Sequence, residues 1–250
     1  MNLLENERID EVNDRLSLIQ KVDGLTFGTD ALLLAGYIGR GYKTGAEFGG
    51  GTGIISMLLR ARGKVDFTYC VEVQEEFAEL IERNIEYNSL SGIECVRADI
   101  REWRAQSEVE LVYTNPPYMK TTSGRACTLD GKNIARHEVC GDILDFILAA
   151  KRTLKYGGAL AVVYRPDRMV DLIAAMREGG IEPKRMTFVH PDEFTPPSAV
   201  LIEAKKGAAP SMKLTAPLII HKEKATDGGA REMTDRAKKI YDTCSFEDFD

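Results

Sequence analysis

The chain has 250 residues, 44% of them hydrophobic and 29% charged, which is the composition of a folded protein with material for one sizeable core. Its net charge of −6 argues against a protein that coats nucleic acids with its whole surface. The N-terminus is polar and acidic, and no stretch approaches the roughly 18 apolar residues of a membrane span, so we predict a cytoplasmic protein without membrane contact. The five cysteines lack a C-x-x-C pair, which predicts free thiols and no metal site.

Charge is distributed unevenly along the chain. Acidic residues predominate up to Tyr118, whereas basic residues predominate from Met119 to Tyr241. Two interpretations stay open, because both halves can simply be solvated surface, or the second half can carry a patch that faces phosphates.

The first 43 residues are predicted to form a cap before the main domain. Residues 16–20 alternate in part between apolar and polar side chains, and a turn-rich stretch follows them. The apolar run 31–38 predicts a helix for which Asp30 is the candidate N-cap, because a short acidic side chain can accept from the first free N–H groups.

Residues 44–206 are predicted to form the main domain, in which short apolar runs alternate with longer amphipathic segments. These patterns predict strands at 45–48, 67–72, 93–96 and 110–114, and helices at 54–62 and 75–88. Such an alternation predicts an α/β fold with a doubly wound, Rossmann-like and mostly parallel sheet.

The second part of this domain continues the pattern and is followed by an extension at 207–250. The sequence predicts a helix at 142–154 that stops at Gly157-Gly158, a strand at 159–164, a helix at 169–178, and strands at 185–190 and 199–204. The last two strands are expected to close the sheet as an antiparallel hairpin at its edge. Within the extension, residues 217–221 are expected to be ordered.

A glycine-rich turn lies between the first predicted strand of the domain and the helix after it. The turn contains Gly49, Gly51 and Gly53, and glycine there lets the backbone turn tightly and approach a bound nucleotide. Glu47 precedes it, and an acidic residue at that place suits a cofactor that carries an ammonium group rather than phosphates.

Two more carboxylates follow the next two predicted strands. Glu72, with Val73 after it, can accept hydrogen bonds from both ribose hydroxyls, and Asp99, with Ile100 after it, can accept from the amino group of an adenine. Because the carboxyl ends of parallel strands meet at one edge, these residues and the glycine turn predict a nucleoside site. S-adenosylmethionine fits this set better than NAD, which normally requires a G-x-G-x-x-G turn.

The tetrapeptide Asn115-Pro116-Pro117-Tyr118 directly follows the fourth predicted strand. The Asn115 side-chain carbonyl and the Pro116 main-chain carbonyl can each accept one hydrogen of an exocyclic amine and so direct its lone pair at a sulfonium methyl. The two prolines make the loop rigid, and Tyr118 offers a flat face for an extruded base. These four residues are the predicted catalytic residues.

These motifs resemble class I methyltransferases with the NPPY motif, and within them the bacterial tRNA adenine-N6 methyltransferases that act at position 37 of a valine tRNA. The resemblance rests on the stretches 27–35, 47–54, 115–118, 135–138, 165–166 and 217–220. One departure is that the first turn has Glu47 and three consecutive glycines, where that family usually has an aspartate and alternating small residues.

The resemblance implies roles for further residues. It places Phe27, Thr29 and Asp30 over the methionine end of S-adenosylmethionine, adds Asn115 to the cofactor site, and makes Tyr118, Arg136, His137, Arg165 and Arg168 candidates for contacts with substrate. His137 has an equally good interpretation as a structural hydrogen-bonding residue. The implied partner is tRNA, and a monomer is expected.

Other functions remain open at this point. A protein glutamine methyltransferase, as in the enzymes that modify release factors, would present an amide NH2 to the same two acceptors, but those enzymes carry a helical domain before the sheet. Methylation of ribosomal RNA or of a small-molecule amine is another possibility. A cofactor-binding scaffold without catalysis is disfavoured by the intact Asn115 and Tyr118.

Overall fold

The structure is a computed structural model, and it describes residues 3–22, 28–117, 142–224 and 231–246. Within these ranges the strands are β1 (Glu7–Asn13), β2 (Leu16–Lys21), β3 (Tyr42–Phe48), β4 (Val65–Glu72), β5 (Ile93–Arg97), β6 (Val109–Thr114), β7 (Leu154–Tyr164), β8 (Ile181–His190), β9 (Ala199–Lys206), β10 (Lys213–Leu214) and β11 (Leu218–Ile219). The helices are α1 (Thr29–Tyr37), α2 (Ile54–Ala61), α3 (Glu75–Tyr87), α4 (Ile143–Thr153), α5 (Met169–Glu178) and α6 (Asp235–Thr243).

A single large sheet organises the described part of the chain. Its strands follow the order β10-β8-β9-β7-β6-β3-β4-β5, and β11 also pairs with β8. All pairs are parallel except those that β9 makes with β7 and β8. The predicted α/β fold with a mostly parallel sheet is confirmed. Since β9 is antiparallel to both neighbours, the carboxyl ends of β3, β4, β6, β7 and β8 lie at the same edge of the sheet.

Two apolar cores form around the sheet. One contains Leu18, α1, α2 and residues from the C-terminal extension, such as Leu218 and Ile240. The other packs α4 and α5, through residues such as Phe146 and Leu172, against β6, β7 and β9. The segments 1–43 and 207–250 therefore share a core with the main domain.

The N-terminal hairpin is held by α3 rather than by the large sheet. β1 and β2 pair with each other in an antiparallel ribbon. Asn84 of α3 and Asn88, the C-cap of this helix, each hydrogen-bond to both the N–H and the C=O of one β2 residue, Ile19 and Ser17 respectively. One face of a helix thus supplies the hydrogen bonds that a neighbouring strand would supply.

A buried lysine stabilises the end of α1. The ammonium of Lys64, which is 1% exposed, donates to the carbonyls of Ala35, Gly36 and Ile38. The last carbonyls of a helix lack intrahelical partners and carry partial negative charge, so a cation there stabilises them.

Several boundaries differ from the predicted ones. Gly28, not Asp30, is the N-cap of α1, so the predicted side-chain cap is wrong and Asp30 lies in the first turn. The helix predicted at 142–154 ends at Thr153, and Gly157-Gly158 lies inside β7 rather than after a helix. The hairpin of β8 and β9 is antiparallel as predicted. It is not the edge of the sheet, because β10 and β11 pair with β8 on the side away from β9.

Candidate cofactor and reaction site

A cleft lies at the carboxyl edge of the sheet, above β3, β4, β5 and β6. It contains about 670 Å³ of free space, counting the part open to solvent. It is lined by Gly49, Gly51, Val71, Glu72, Val73, Gln74, Phe77, Ala98, Asp99, Ile100, Asn115, Pro117 and Phe146. The structure therefore brings together predicted residues from four separate strand ends, namely the glycine turn, Glu72, Asp99 and Asn115.

The glycine turn after β3 has the left-handed backbone that glycine favours. The φ angles of Gly49, Gly51 and Gly53 are +73°, +55° and +80°. Gly50 is confined for a different reason, because a Cβ there would lie 2.5 Å from the Sγ of Cys70. The turn holds the start of α2 close to β4 and leaves Gly49 and Gly51 facing the cleft.

Glu72 is fixed by the backbone around it. Its Oε2 accepts from the N–H of Gly51 at 2.9 Å, and its Oε1 accepts from the N–H of Gln74 at 3.0 Å. The side chain is 4% exposed and lines the cleft. Each carboxylate oxygen keeps a free lone pair for a ligand, so Glu72 can accept from a pair of hydroxyls without having to rearrange.

Asp99 is held in a compact turn at the far side of the cleft. Arg101 binds its carboxylate through the backbone N–H and the guanidinium, and this lowers the pKa of Asp99 below its usual value. The backbone carbonyl of Asp99 accepts from the N–H of Trp103, whose ring packs edge-on against Phe48 and Tyr69. Asp99 is therefore a fixed carboxylate that stays ionised at the wall of the cleft.

Most of the other side chains that line the cleft are apolar. They include Val73, Phe77, Ala98, Ile100 and Phe146. An apolar cleft that also contains two carboxylates suits a nucleoside, whose ring is buried and whose hydroxyl and amino groups donate hydrogen bonds. The residues present therefore fit the adenosine moiety of S-adenosylmethionine.

Asn115 enters the cleft directly from the end of β6. The hydroxyl of Thr114 donates to the carbonyl of Phe48 at 2.8 Å, which ties the ends of β6 and β3 together. Asn115 is half-buried, Pro116 is buried and Pro117 is exposed at the mouth of the cleft. Asn115 and Pro117 thus line the cleft together with Gly49 and Gly51 of the glycine turn, whereas Pro116 is not part of the lining.

Glu47 lies beneath the turn and does not line the cleft. Its Oε2 accepts from the N–H of Ser56 at 3.0 Å and from the Ser56 hydroxyl, which also contacts the hydroxyl of Tyr113. The residue is 1% exposed, and this burial raises the pKa of its carboxyl to about 7, although the bonds from Ser56 oppose the shift. The Glu47 carboxylate is thus hydrogen-bonded to Ser56 in the first turn of α2, and Glu47 is not among the residues that line the cleft.

Four other predicted residues are described but are not part of the lining. Thr29 and Asp30 are at the start of α1. Arg165 and Arg168 follow β7 and pair with Asp167 and Asp171. Phe27, Tyr118, Arg136 and His137 lie outside the described residues.

Five residues of the lining were not predicted from the sequence, namely Val71, Gln74, Phe77, Ala98 and Phe146. Phe77 and Phe146 look like core positions of amphipathic helices, and Gln74 is an ordinary residue before a helix. The sequence indicates a place in the cleft for Gln74 and Phe77 only through their closeness to Glu72 along the chain.

Two further observations concern the described ranges alone. No group of three His, Cys, Asp or Glu side chains there could hold a metal ion. None of the helices in these ranges has both the length and the apolar character that crossing a membrane requires.

Comparison with known proteins identifies the family. The family model of the methyltransferase small domain matches residues 22–177, which is more than half of the chain. The chain belongs to the methyltransferase small domain family. The chain is thus a methyltransferase, and the prediction of S-adenosylmethionine as its methyl donor is confirmed.

Three individual proteins that resemble this methyltransferase each share less than 30% sequence identity with it. A curated protein from Tolumonas auensis, named tRNA1(Val) (adenine(37)-N6)-methyltransferase, is 29% identical over 75% of this chain and 73% of its own length. The crystal structure of a predicted O-methyltransferase from Agrobacterium tumefaciens superposes with a TM-score of 0.68 at 24% identity, over 87% of this chain and 97% of the other. The structure of M. jannaschii TYW2 in complex with AdoMet gives 0.57 at 14% identity, over 82% and 88%. The two structures show that the fold is that of a class I methyltransferase.

Proposed function

We propose that this methyltransferase acts in the cytoplasm on tRNA, where it methylates the N6 amine of the adenine at position 37 of a valine tRNA. The observation that carries the proposal is the position of Asn115, which opens into the same cleft as Glu72 and Asp99 and is followed by two prolines. The name of the Tolumonas auensis relative supports this choice of substrate.

Different residues of the cleft would bind different parts of the donor. Glu72 accepts from the ribose hydroxyls, because its two oxygens are already oriented by Gly51 and Gln74. Asp99, next to Ile100, would accept from the amino group of the adenine ring of the donor. Val73 and the glycines of the turn, which line the same cleft, would hold the rest of the donor. S-adenosylmethionine supplies an electrophilic methyl group when it is bound.

Asn115 and Pro116 prepare the substrate amine. The lone pair of an exocyclic amine on adenine is delocalised into the ring, which makes the amine a poor nucleophile. One hydrogen bond to the Asn115 Oδ1 and one to the Pro116 carbonyl favour the pyramidal form and orient its lone pair. No residue has to remove a proton first, because the amine loses one after methylation.

The test is transfer of a radiolabelled methyl group to unmodified transcripts of valine tRNA, followed by nucleoside analysis. We expect label in N6-methyladenosine, and none when a guanine replaces the adenine at position 37. Purified release factor is assayed in parallel. Label in protein alone would replace this proposal with glutamine methylation, and label in tRNA outside position 37 would contradict the proposed target.

A further inference from the structure

The loop between β8 and β9 carries an exposed aromatic side chain at the reaction edge of the sheet. Phe194 is 61% exposed, although phenylalanine is usually buried. β8 is parallel to β6, so this loop begins at the same edge at which Asn115 follows β6. The position of Phe194 relative to the reaction site therefore follows from the topology.

The loop that presents Phe194 is a rigid unit. Asp192, which is fully buried, accepts from the N–H of Phe194 at 3.0 Å and from the hydroxyl of Thr195 at 2.7 Å. The carbonyl of Thr195 lies 2.9 Å from the Nδ1 of His190, and Pro196 and Pro197 complete the loop. Because the backbone is already ordered, a contact with the ring costs little conformational entropy.

The distance to the reaction site suits neighbouring nucleotides of one RNA loop. The strands β7 and β9 lie between β6 and β8, so the end of β8, from which the loop of Phe194 starts, is three strand spacings from the end of β6, which is about 14 Å at about 4.8 Å per strand. A few nucleotides of single-stranded RNA span such a distance. The intervening end of β7 carries Arg165 and Arg168, whose side chains are 37% and 33% exposed.

The charges around Phe194 favour a base over a phosphate as its partner. Glu193, which directly precedes it, is exposed, and its carboxylate disfavours a phosphate beside the ring. Asp192 does not add to this charge at the surface, because it is buried and pairs with Arg231. An aromatic ring can instead stack on the flat face of an unpaired base, which is how proteins commonly bind single-stranded RNA.

We propose that Phe194 stacks on an unpaired base of the RNA substrate that lies near the target adenine in the same loop. This inference rests on the proposed function, since it assumes an RNA substrate. Phe194 is then a residue that positions the RNA, whereas Asn115 acts on the amine itself. The stacking contact holds one side of the RNA loop while the target adenine enters the cleft.

The test compares Phe194→Ala, Phe194→Leu and Phe194→Tyr with the unchanged protein in methyl transfer to valine tRNA. Loss of base stacking costs about 1–3 kcal/mol, so we expect the alanine and leucine variants to raise the KM for tRNA about 5- to 150-fold. Tyrosine, which keeps the ring, should stay within about 2-fold of the unchanged protein, because stacking on either ring is similar.

Tyr156→Ala is the matched control. Tyr156 is 78% exposed and lies near the start of β7, at the opposite edge of the sheet. We expect no change in its KM for tRNA. A second readout is salt dependence, because removal of a stacking residue leaves the number of neutralised phosphates unchanged, and with it the slope of affinity against salt. Affinity for S-adenosylhomocysteine and thermal unfolding verify that the variants are folded.

The possible results separate the two claims. If the unchanged protein transfers no methyl to tRNA, the proposed function fails, and the inference fails with it. If it does transfer methyl and Phe194→Leu keeps the same KM, the inference alone is overturned. An equal loss in Tyr156→Ala, or a reduced salt slope in Phe194→Ala, would also overturn it, because neither result is expected from base stacking at one site.

Discussion

Asn84 binds the backbone of Ile19 with both ends of its side-chain amide, accepting from the N–H at 2.7 Å and donating to the C=O at 3.1 Å. The same amide nitrogen lies 3.2 Å from the carbonyl of Thr52, inside the glycine turn. One fully buried residue of α3 therefore connects the N-terminal hairpin with the turn that forms a wall of the cleft.

Asn84→Leu should destabilise the protein by about 2–4 kcal/mol, because two buried backbone groups of Ile19 lose their partners. Urea unfolding measures the loss, and hydrogen exchange at the Ile19 amide locates it. Asn88→Ala is the control, since Asn88 makes the corresponding contacts with Ser17 in a less buried place, and it should cost about 1 kcal/mol. A loss for Asn84→Leu no larger than that for Asn88→Ala would contradict this role.

Glu47 should make the folded protein less stable as the pH rises from about 4.5 to 7. Its pKa is raised from 4.5 to about 7 by burial, so the folded chain keeps the proton over a range in which the unfolded chain has released it. The state that binds more protons loses relative stability with rising pH, by up to about 1.4 kcal/mol per pH unit for one group.

Glu47→Gln removes the ionisation but keeps the size of the side chain, so the free energy of unfolding should fall less steeply between pH 5 and 7 than in the unchanged protein. Urea unfolding of both proteins at pH 5, 6 and 7 measures this free energy. Parallel curves with the same slope would show that Glu47 does not bind a proton in this range.

Glu72→Ala should weaken binding of S-adenosylhomocysteine about 10- to 100-fold, because the variant loses charge-assisted hydrogen bonds to the ribose. Titration calorimetry measures the affinity. The control is Glu75→Ala, three residues farther along, since Glu75 pairs with Arg97 and does not line the cleft. Equal effects of the two variants would assign the loss to the local charge rather than to contact with the ligand.

Asn115→Ala should abolish methyl transfer and leave the affinity for S-adenosylhomocysteine within a few-fold, because its amide acts on the substrate amine. The rate of transfer at saturating tRNA and calorimetry with the cofactor product measure the two properties separately. A large loss of cofactor affinity would instead give Asn115 a role in binding the donor.

The central elements could be predicted from the sequence because their side chains follow a simple pattern. Strands such as β4 and β6 are short, largely apolar runs, and α3 has a clear apolar face. A polar residue that lines the cleft lies at or directly after the end of each of these strands, Glu72 for β4 and Asn115 for β6. The glycine turn, Glu72, Asp99 and Asn115 could be grouped because parallel strands bring their carboxyl ends together. The cleft contains all of these residues.

The elements that were missed depend on distant contacts. β1 is largely polar and pairs with β2, while Glu7 at its start is held by Arg83 of α3. α6 is polar apart from Ala237 and Ile240, which are buried in the core with α1. Likewise, the partner of Glu47 is Ser56 on the next helix, and residue spacing alone does not distinguish a carboxylate that faces the cleft from one beneath it.

The packing of Trp103 gives the protein an optical signal of its own. It is the single tryptophan of the chain and lies in the turn that begins with Asp99. Its ring packs edge-on against Phe48 and Tyr69. Its fluorescence therefore originates beside the part of the cleft assigned to the adenine ring of the donor. We therefore expect binding of the donor to change the emission intensity of the unlabelled protein.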